Sequence, residues 1–131
     1  MKILIAEDDI TSRLLLQEFL KGYGPCHVAV NGKEAVAAVR AALDADQPYE
    51  LICLDIMMPE MDGQEALRVI RRMEAANGIV GSYRAKIVMT SSLADQENVI
   101  EAIRAKCDCY LAKPVRKAKL LEELRKLTLI N

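Results

Sequence analysis

Short apolar runs alternate along the chain with longer stretches in which apolar residues recur every three or four positions. Ile3 to Ala6 is the first such run and predicts a strand. Ile10 to Leu20 then has helical spacing, and Gly22, Gly24 and Pro25 end it. Val28 to Val30 predicts a second strand. Asn31-Gly32-Lys33-Glu34 has the spacing of a capping box and predicts a helix through Leu43. Leu51 to Leu54 is apolar on both faces, as a strand covered on both sides would be. Asp62-Gly63-Gln64-Glu65 offers another cap, ahead of a helix carrying Leu67, Ile70 and Met73. Ile87 to Met89 predicts a fourth strand, and Ser92-Leu93-Ala94-Asp95 a cap for a helix carrying Val99, Ile100 and Ile103. Cys109 to Leu111 predicts a fifth strand, and Leu120, Leu124 and Leu127 form the stripe of a last helix.

Five strand–helix units in strict alternation predict an α/β fold: a doubly wound, five-stranded parallel sheet with helices on both faces. By analogy with other sheets of this size, the expected strand order is the flavodoxin-like 2-1-3-4-5. The 131 residues fit one domain, 1–131, with no output domain after the last helix. The first residues run straight into a strand, leaving no room for a signal peptide, and no apolar run approaches a membrane span. A soluble, cytoplasmic protein is expected, with no membrane partner.

Charge and cysteine usage narrow the picture further. A net charge of -1 gives no basic surplus for nucleic acid. The cations between Lys113 and Lys126 are interrupted by Glu122 and Glu123 and read as a solvated helix face. Cys26, Cys53, Cys107 and Cys109 lack paired spacing and read as small buried apolar residues. Cys107-Asp108-Cys109 is expected within the last strand, with one side buried. His27, at the start of the second strand, reads as structural or exposed.

In doubly wound sheets, ligands bind beyond the carboxyl ends of the strands where the strand order reverses. The residues at those ends are Glu7 and Asp8, Asp55, Thr90 and Lys113. Each has an ordinary explanation alone. An acidic residue after a strand caps the next helix, Asp9 above all; Thr90 suits a strand; Lys113 suits a turn before Pro114. Their shared position argues otherwise. Converging carboxylates repel one another and call for a hard cation with oxygen ligands, Mg²⁺ (or Mn²⁺). A lysine and a threonine hydroxyl complete the equipment of phosphoryl transfer to a carboxylate nucleophile.

Four segments carry a resemblance: Ile3-Leu4-Ile5-Ala6-Glu7-Asp8-Asp9, Leu54-Asp55-Ile56-Met57-Met58-Pro59-Glu60-Met61-Asp62-Gly63, Met89-Thr90-Ser91-Ser92 and Tyr110-Leu111-Ala112-Lys113-Pro114. With them the chain resembles bacterial response-regulator receiver domains of the chemotaxis-receiver type over essentially its whole length. The resemblance implies a stand-alone regulator of a two-component system or phosphorelay. Asp55 would accept the phosphoryl group from a sensor histidine kinase or a histidine phosphotransfer protein. Asp8 would bind Mg²⁺ directly and Glu7 through water, with Asp55 and the Met57 carbonyl completing the metal ligands. Thr90 and Lys113 would hold the phosphoryl group, and Tyr110 would turn with Thr90 in the switch. A downstream protein would read the face of the fourth helix, fifth strand and fifth helix. The Lys113–Pro114 bond would be cis, as it often is in the family.

The sequence departs from the family in places. Ser91 stands where Ala or Gly is usual, and Met57 and Ser92 fill variable positions thought to tune phosphoryl lifetime. Lys106 stands where a helix-ending Gly is usual. The stretch from Ala75 to Arg84 is longer than the family norm and suits a partner contact. Two other classes compete. An aspartyl-phosphate phosphatase needs an acid/base aspartate two residues past the nucleophile, where this chain has Met57. A non-phosphorylatable binding module would not need Glu7, Asp8, Asp55, Thr90 and Lys113 intact. The reading is therefore a signalling domain, not an enzyme.

Overall fold

Residues that are apolar on both sides of a strand need cover on both sides, and the three inner strands are covered that way. The structure, a computed structural model, describes residues 1–92 and 95–131. The strands are β1 (Ile3–Ala6), β2 (Cys26–Ala29), β3 (Leu51–Asp55), β4 (Lys86–Ser91) and β5 (Cys109–Ala112). They form one parallel sheet in the order β2-β1-β3-β4-β5, as expected. The helices are α1 (Ile10–Leu20), α2 (Gly32–Asp44), α3 (Gly63–Ala76), α4 (Gln96–Arg104) and α5 (Lys117–Lys126).

Strand alternation sorts the core into two layers. Ile3, Ile5, Leu51, Cys53 and Val88 face α1 and α5, meeting Leu16, Leu20, Leu120 and Leu124. Leu4, Ala6, Ile52, Leu54, Ile87 and Met89 face the other helices, meeting Val36, Val39, Leu67, Ile70 and Ala102. Each large side chain so buried contributes about 1.5–3 kcal/mol.

The helix starts follow the sequence closely. Asn31 accepts from the Glu34 N–H at 2.8 Å, and Asp62 accepts from that of Glu65 at 2.9 Å. The returning Glu34 carboxylate bonds the Val30 N–H at 3.1 Å, one residue earlier than a standard capping box. Asp95 is the N-cap of α4 by position, but its carboxylate accepts from the Asn98 side chain. Leu93 and Ala94, part of the expected cap, lie outside the described residues.

Three expectations need correction. The second strand runs from Cys26 to Ala29 instead of from Val28 to Val30, because its ladder to β1 opens when the Ile3 N–H bonds the Pro25 carbonyl. It is an edge strand, so the exposed Val28 and Val30 are not core markers. The fourth strand continues past Met89 through the buried Thr90 and Ser91. Cys107 and Asp108 precede β5, and the Asp108 carboxylate is bound by Arg71. All four cysteines are free thiols.

Candidate functional site

The sheet's register delivers the site. Glu7 follows the last residue of β1, with its N–H on the Ala29 carbonyl. Asp55 ends β3 directly opposite Thr90 of β4, and the Ile56 N–H bonds the Thr90 carbonyl. Lys113 follows β5 and donates its N–H to the Ser91 carbonyl. Backbone pairing therefore converges on four side chains far apart in sequence.

Lys113 Nζ lies 2.5 Å from Glu7 Oε1 and 3.1 Å from Asp55 Oδ1. Glu7 and Asp55 are buried, whereas Asp8 opens to solvent. One carboxylate oxygen from each of Glu7, Asp8 and Asp55 lies within 4.8 Å of the others. Asp9 stands outside this group and caps α1, accepting from the Ser12 N–H at 2.8 Å, a bond that lowers its pKa. Arg13 reaches back to the Glu7 carbonyl and so anchors α1 under the pocket.

Burial pushes the Asp55 pKa up to about 7, helped by hydrogen bonding and charge from Glu7 and opposed by Lys113. Burial pulls the Lys113 pKa down, but its bonds to Glu7 and Asp55 outweigh that and leave it raised. Three buried polar atoms have no hydrogen-bond partner among the described residues: Gln64 Oε1 in α3 and, at this site, Glu7 Oε2 and Thr90 Oγ1. Buried polar atoms without partners are rare and costly in folded proteins, and the two at this site flank Asp55. Three carboxylates against one lysine also leave positive charge in deficit. Hard oxygen donors with one atom unclaimed fit a divalent cation such as Mg²⁺.

Close packing holds Asp55 in place. A Cβ on Gly63 would lie 2.2 Å from the Asp55 carbonyl oxygen, and the Gly63 N–H bonds the Ile56 carbonyl at 2.8 Å. The start of α3 is thus pressed onto the end of β3, and only glycine fits. In the sequence Gly63 is only one member of a motif, with nothing that marks this role. Gln64 is buried and donates to the Asn98 carbonyl, tying α3 to α4; its one sequence signal is a polar residue among the Ala66 and Leu67 core positions. Met57 sits on the loop after β3 with its side chain exposed, and Tyr110 is half-buried on the α2–α3–α4 side of β5. The Lys113–Pro114 bond is cis.

A doubly wound sheet with an acidic pocket countered by lysine, set where β1 and β3 part, describes a class of phosphoryl and metal sites rather than an isolated curiosity. The sequence profile of the response regulator receiver domain matches residues 3–125, and the chain belongs to that family, whose role is phosphorylation-dependent signalling in two-component systems. Chemotaxis protein CheY of Bacillus subtilis is 32% identical over 127 residues, covering 95% of each chain. Among solved structures, the CheX–CheY–BeF₃–Mg complex of Borrelia burgdorferi matches in fold with a TM-score of 0.85 at 23% identity, covering 98% of this chain and 89% of that one. The receiver domain of Ssk1 from Saccharomyces cerevisiae, solved with the histidine phosphotransfer protein Ypd1, gives a TM-score of 0.82 at 28% identity, covering 97% and 88%. Among the described residues, no helix is long and apolar enough to cross a membrane.

Proposed function

We propose that Asp55 accepts a phosphoryl group from a phosphohistidine and that the chain signals by binding another protein in that state. The convergence of Glu7, Asp8 and Asp55 on Lys113 beside the unpartnered Thr90 hydroxyl carries this reading. One Asp55 carboxylate oxygen attacks phosphorus, the P–N bond breaks, and the imidazole departs with its electron pair and takes up a proton. Lys113 stays paired with the phosphoryl oxygens, and the Thr90 hydroxyl gains the acceptor it lacks. Asp8, Asp55 and the Met57 carbonyl would hold Mg²⁺, with Glu7 reaching it through water. That ion, when bound, offsets the charge on the transferring oxygens.

Docking of the donor has a surface beside the pocket. Ser12 and Leu15 of α1 share a small hollow with Thr90 and Lys113, and Ile10 and Leu14 are exposed on the same helix. An apolar patch there suits a histidine phosphotransfer partner, the kind of protein with which the Ssk1 receiver domain was solved. On the output side, a phosphorylated Asp55 draws Thr90 inward and Tyr110 follows, changing the face of α4, β5 and α5. The chain turns over only its own phosphoryl group and works in the cytoplasm.

Incubation with Mg²⁺ and acetyl phosphate, followed by intact mass spectrometry, tests the acceptor. A single acid-stable, base-labile phosphoryl adduct is expected on the wild type and none on Asp55→Asn. An adduct that persists in Asp55→Asn would move the site elsewhere.

A further inference from the structure

α3 packs closely along α2 but only sparsely against α4, and the seam between α3 and α4 opens as a trough. Two adjoining hollows of about 760 and 500 Å³ share Arg71, Ala75 and Lys106 as walls. The longer-than-usual segment after α3 supplies one end through Val80 and Arg84. None of the residues around Asp55 lines either hollow.

The charge in the trough is one-sided. Arg68, Arg71, Arg72, Arg84, Arg104 and Lys106 line it, against Glu97 and Glu101. Arg68 is engaged by Glu101 at 2.8 Å, and Arg71 by Glu74 and Asp108. Arg72, Arg104 and Lys106 have no ion-pair partner among the described residues, in a chain whose net charge is -1. Favourable contact with a helix's carbonyl end accounts for Arg104, which lies in the last turn of α4. It extends to Lys106, the residue after the C-cap of α4, but not to Arg72, which lies ahead of the last turn of α3.

Lys106 closes α4 in a left-handed conformation, as Asp46 closes α2 and Thr128 closes α5. The φ of Lys106 is 70°, a left-handed conformation that strains any residue with a Cβ and suits glycine. A lysine is held there, on the wall of both hollows. Apolar surface lies among the cations: Ile100 is 38% and Val80 65% exposed. Joined, the hollows exceed the roughly 300–1,000 Å³ of a small-ligand pocket. A groove between two helices, apolar in its floor and cationic on its walls, matches an amphipathic helix bearing carboxylates.

We propose that the α3–α4 trough receives an acidic amphipathic segment of a partner protein. Its apolar side rests on Ala75, Ile100 and Val80, and its carboxylates meet Arg72, Arg104 and Lys106. This surface is separate from the phosphoryl site and stands whether or not Asp55 accepts phosphate.

The probe is a synthetic helical peptide with Leu and Glu on opposite faces, read by anisotropy and by amide shifts in the ¹⁵N spectrum. Shifts are expected in segments 68–84 and 97–106, with affinity falling as salt rises. Arg72→Glu and Arg104→Glu should each weaken binding by roughly tenfold or more, through like-charge repulsion. Lys106→Gly should weaken binding while raising the melting temperature, a pairing that lost folding cannot produce. Asp55→Asn should bind as the wild type does. Equal binding by a scrambled peptide, indifference to the charge reversals, or shifts confined to α1 or β5 would overturn the proposal. So would ATP filling the trough where the peptide does not, which would make it a small-anion site.

Discussion

Asp55 is a carboxylate whose burial and whose neighbour Glu7 favour the protonated form, against the pull of Lys113. An acid whose folded pKa is raised binds more protons folded than unfolded, so it subtracts stability as pH climbs from its ordinary range near 4 toward 7. In metal-free protein Asp55→Asn removes that cost. The variant is expected to be about 1–3 kcal/mol more stable than the wild type at pH 8, with the gap closing toward pH 4.5. Urea titrations in chelator at both pH values check this; a gap that ignores pH would assign the titration to another group. Thr90 offers a second test. Its buried hydroxyl has no partner among the described residues, so Thr90→Val is expected to be neutral or stabilising by up to about 1 kcal/mol. Asp55 in that variant should still take phosphate from acetyl phosphate, while phosphorylation-dependent partner binding is lost. Unchanged partner binding would remove Thr90 from the switch.

Elements rather than residues decide what a sequence discloses. β1 and β3 were legible because every position in them but Asp55 is apolar and all are covered on both sides, whereas edge strand β2, half exposed, slipped by two residues at its start. β4 was cut short because Thr90 and Ser91 are polar yet fully buried, and periodicity stops at the first polar residue. Glu7, Asp8, Asp55 and Lys113 could be placed in one site because each falls at or just past the carboxyl end of a strand. The steric demand met by Gly63 could not, since it is a contact between backbones. Least visible was the buried network at the far end of the sheet. Arg71 bonds Glu74 at 2.7 Å, Asp108 at 2.9 Å and the carbonyls of Ala85 and Lys106, joining α3 to the entries of β4 and β5. In sequence these read as surface charges, although Arg71 and Glu74 continue the stripe begun by Leu67 and Ile70. Arg71→Ala should lower stability by about 3–5 kcal/mol, since the buried Glu74 and the half-buried Asp108 would be left without a counter-charge. Adding Glu74→Ala should recover part of the loss in urea midpoints. Strictly additive losses would mean the pair does not act as a unit.

For the whole molecule, the sheet gathers three carboxylates and one lysine at one end while its apolar layers hold them together, so part of its folding stability works against mutual repulsion. A divalent cation bound there would favour the folded state alone, because the unfolded chain separates Glu7 and Asp8 from Asp55 by α1, β2, α2 and most of β3. At Mg²⁺ tenfold above its dissociation constant, linkage gives about 1.4 kcal/mol. For a chain of this size that corresponds to a rise of about 4–7 °C in melting temperature. Calorimetry at constant ionic strength, with Na⁺ replacing Mg²⁺ in the control, isolates the effect from screening. Asp8→Asn should abolish most of the rise while leaving the metal-free melting temperature level or higher, since Asp8 is exposed and contributes charge but little packing. Asp9→Asn should keep the rise, because its carboxylate is committed to the Ser12 N–H at the start of α1. If the two variants responded alike, the pocket would not discriminate between neighbouring aspartates. The metal would then be bound by diffuse acidity rather than by the strand ends.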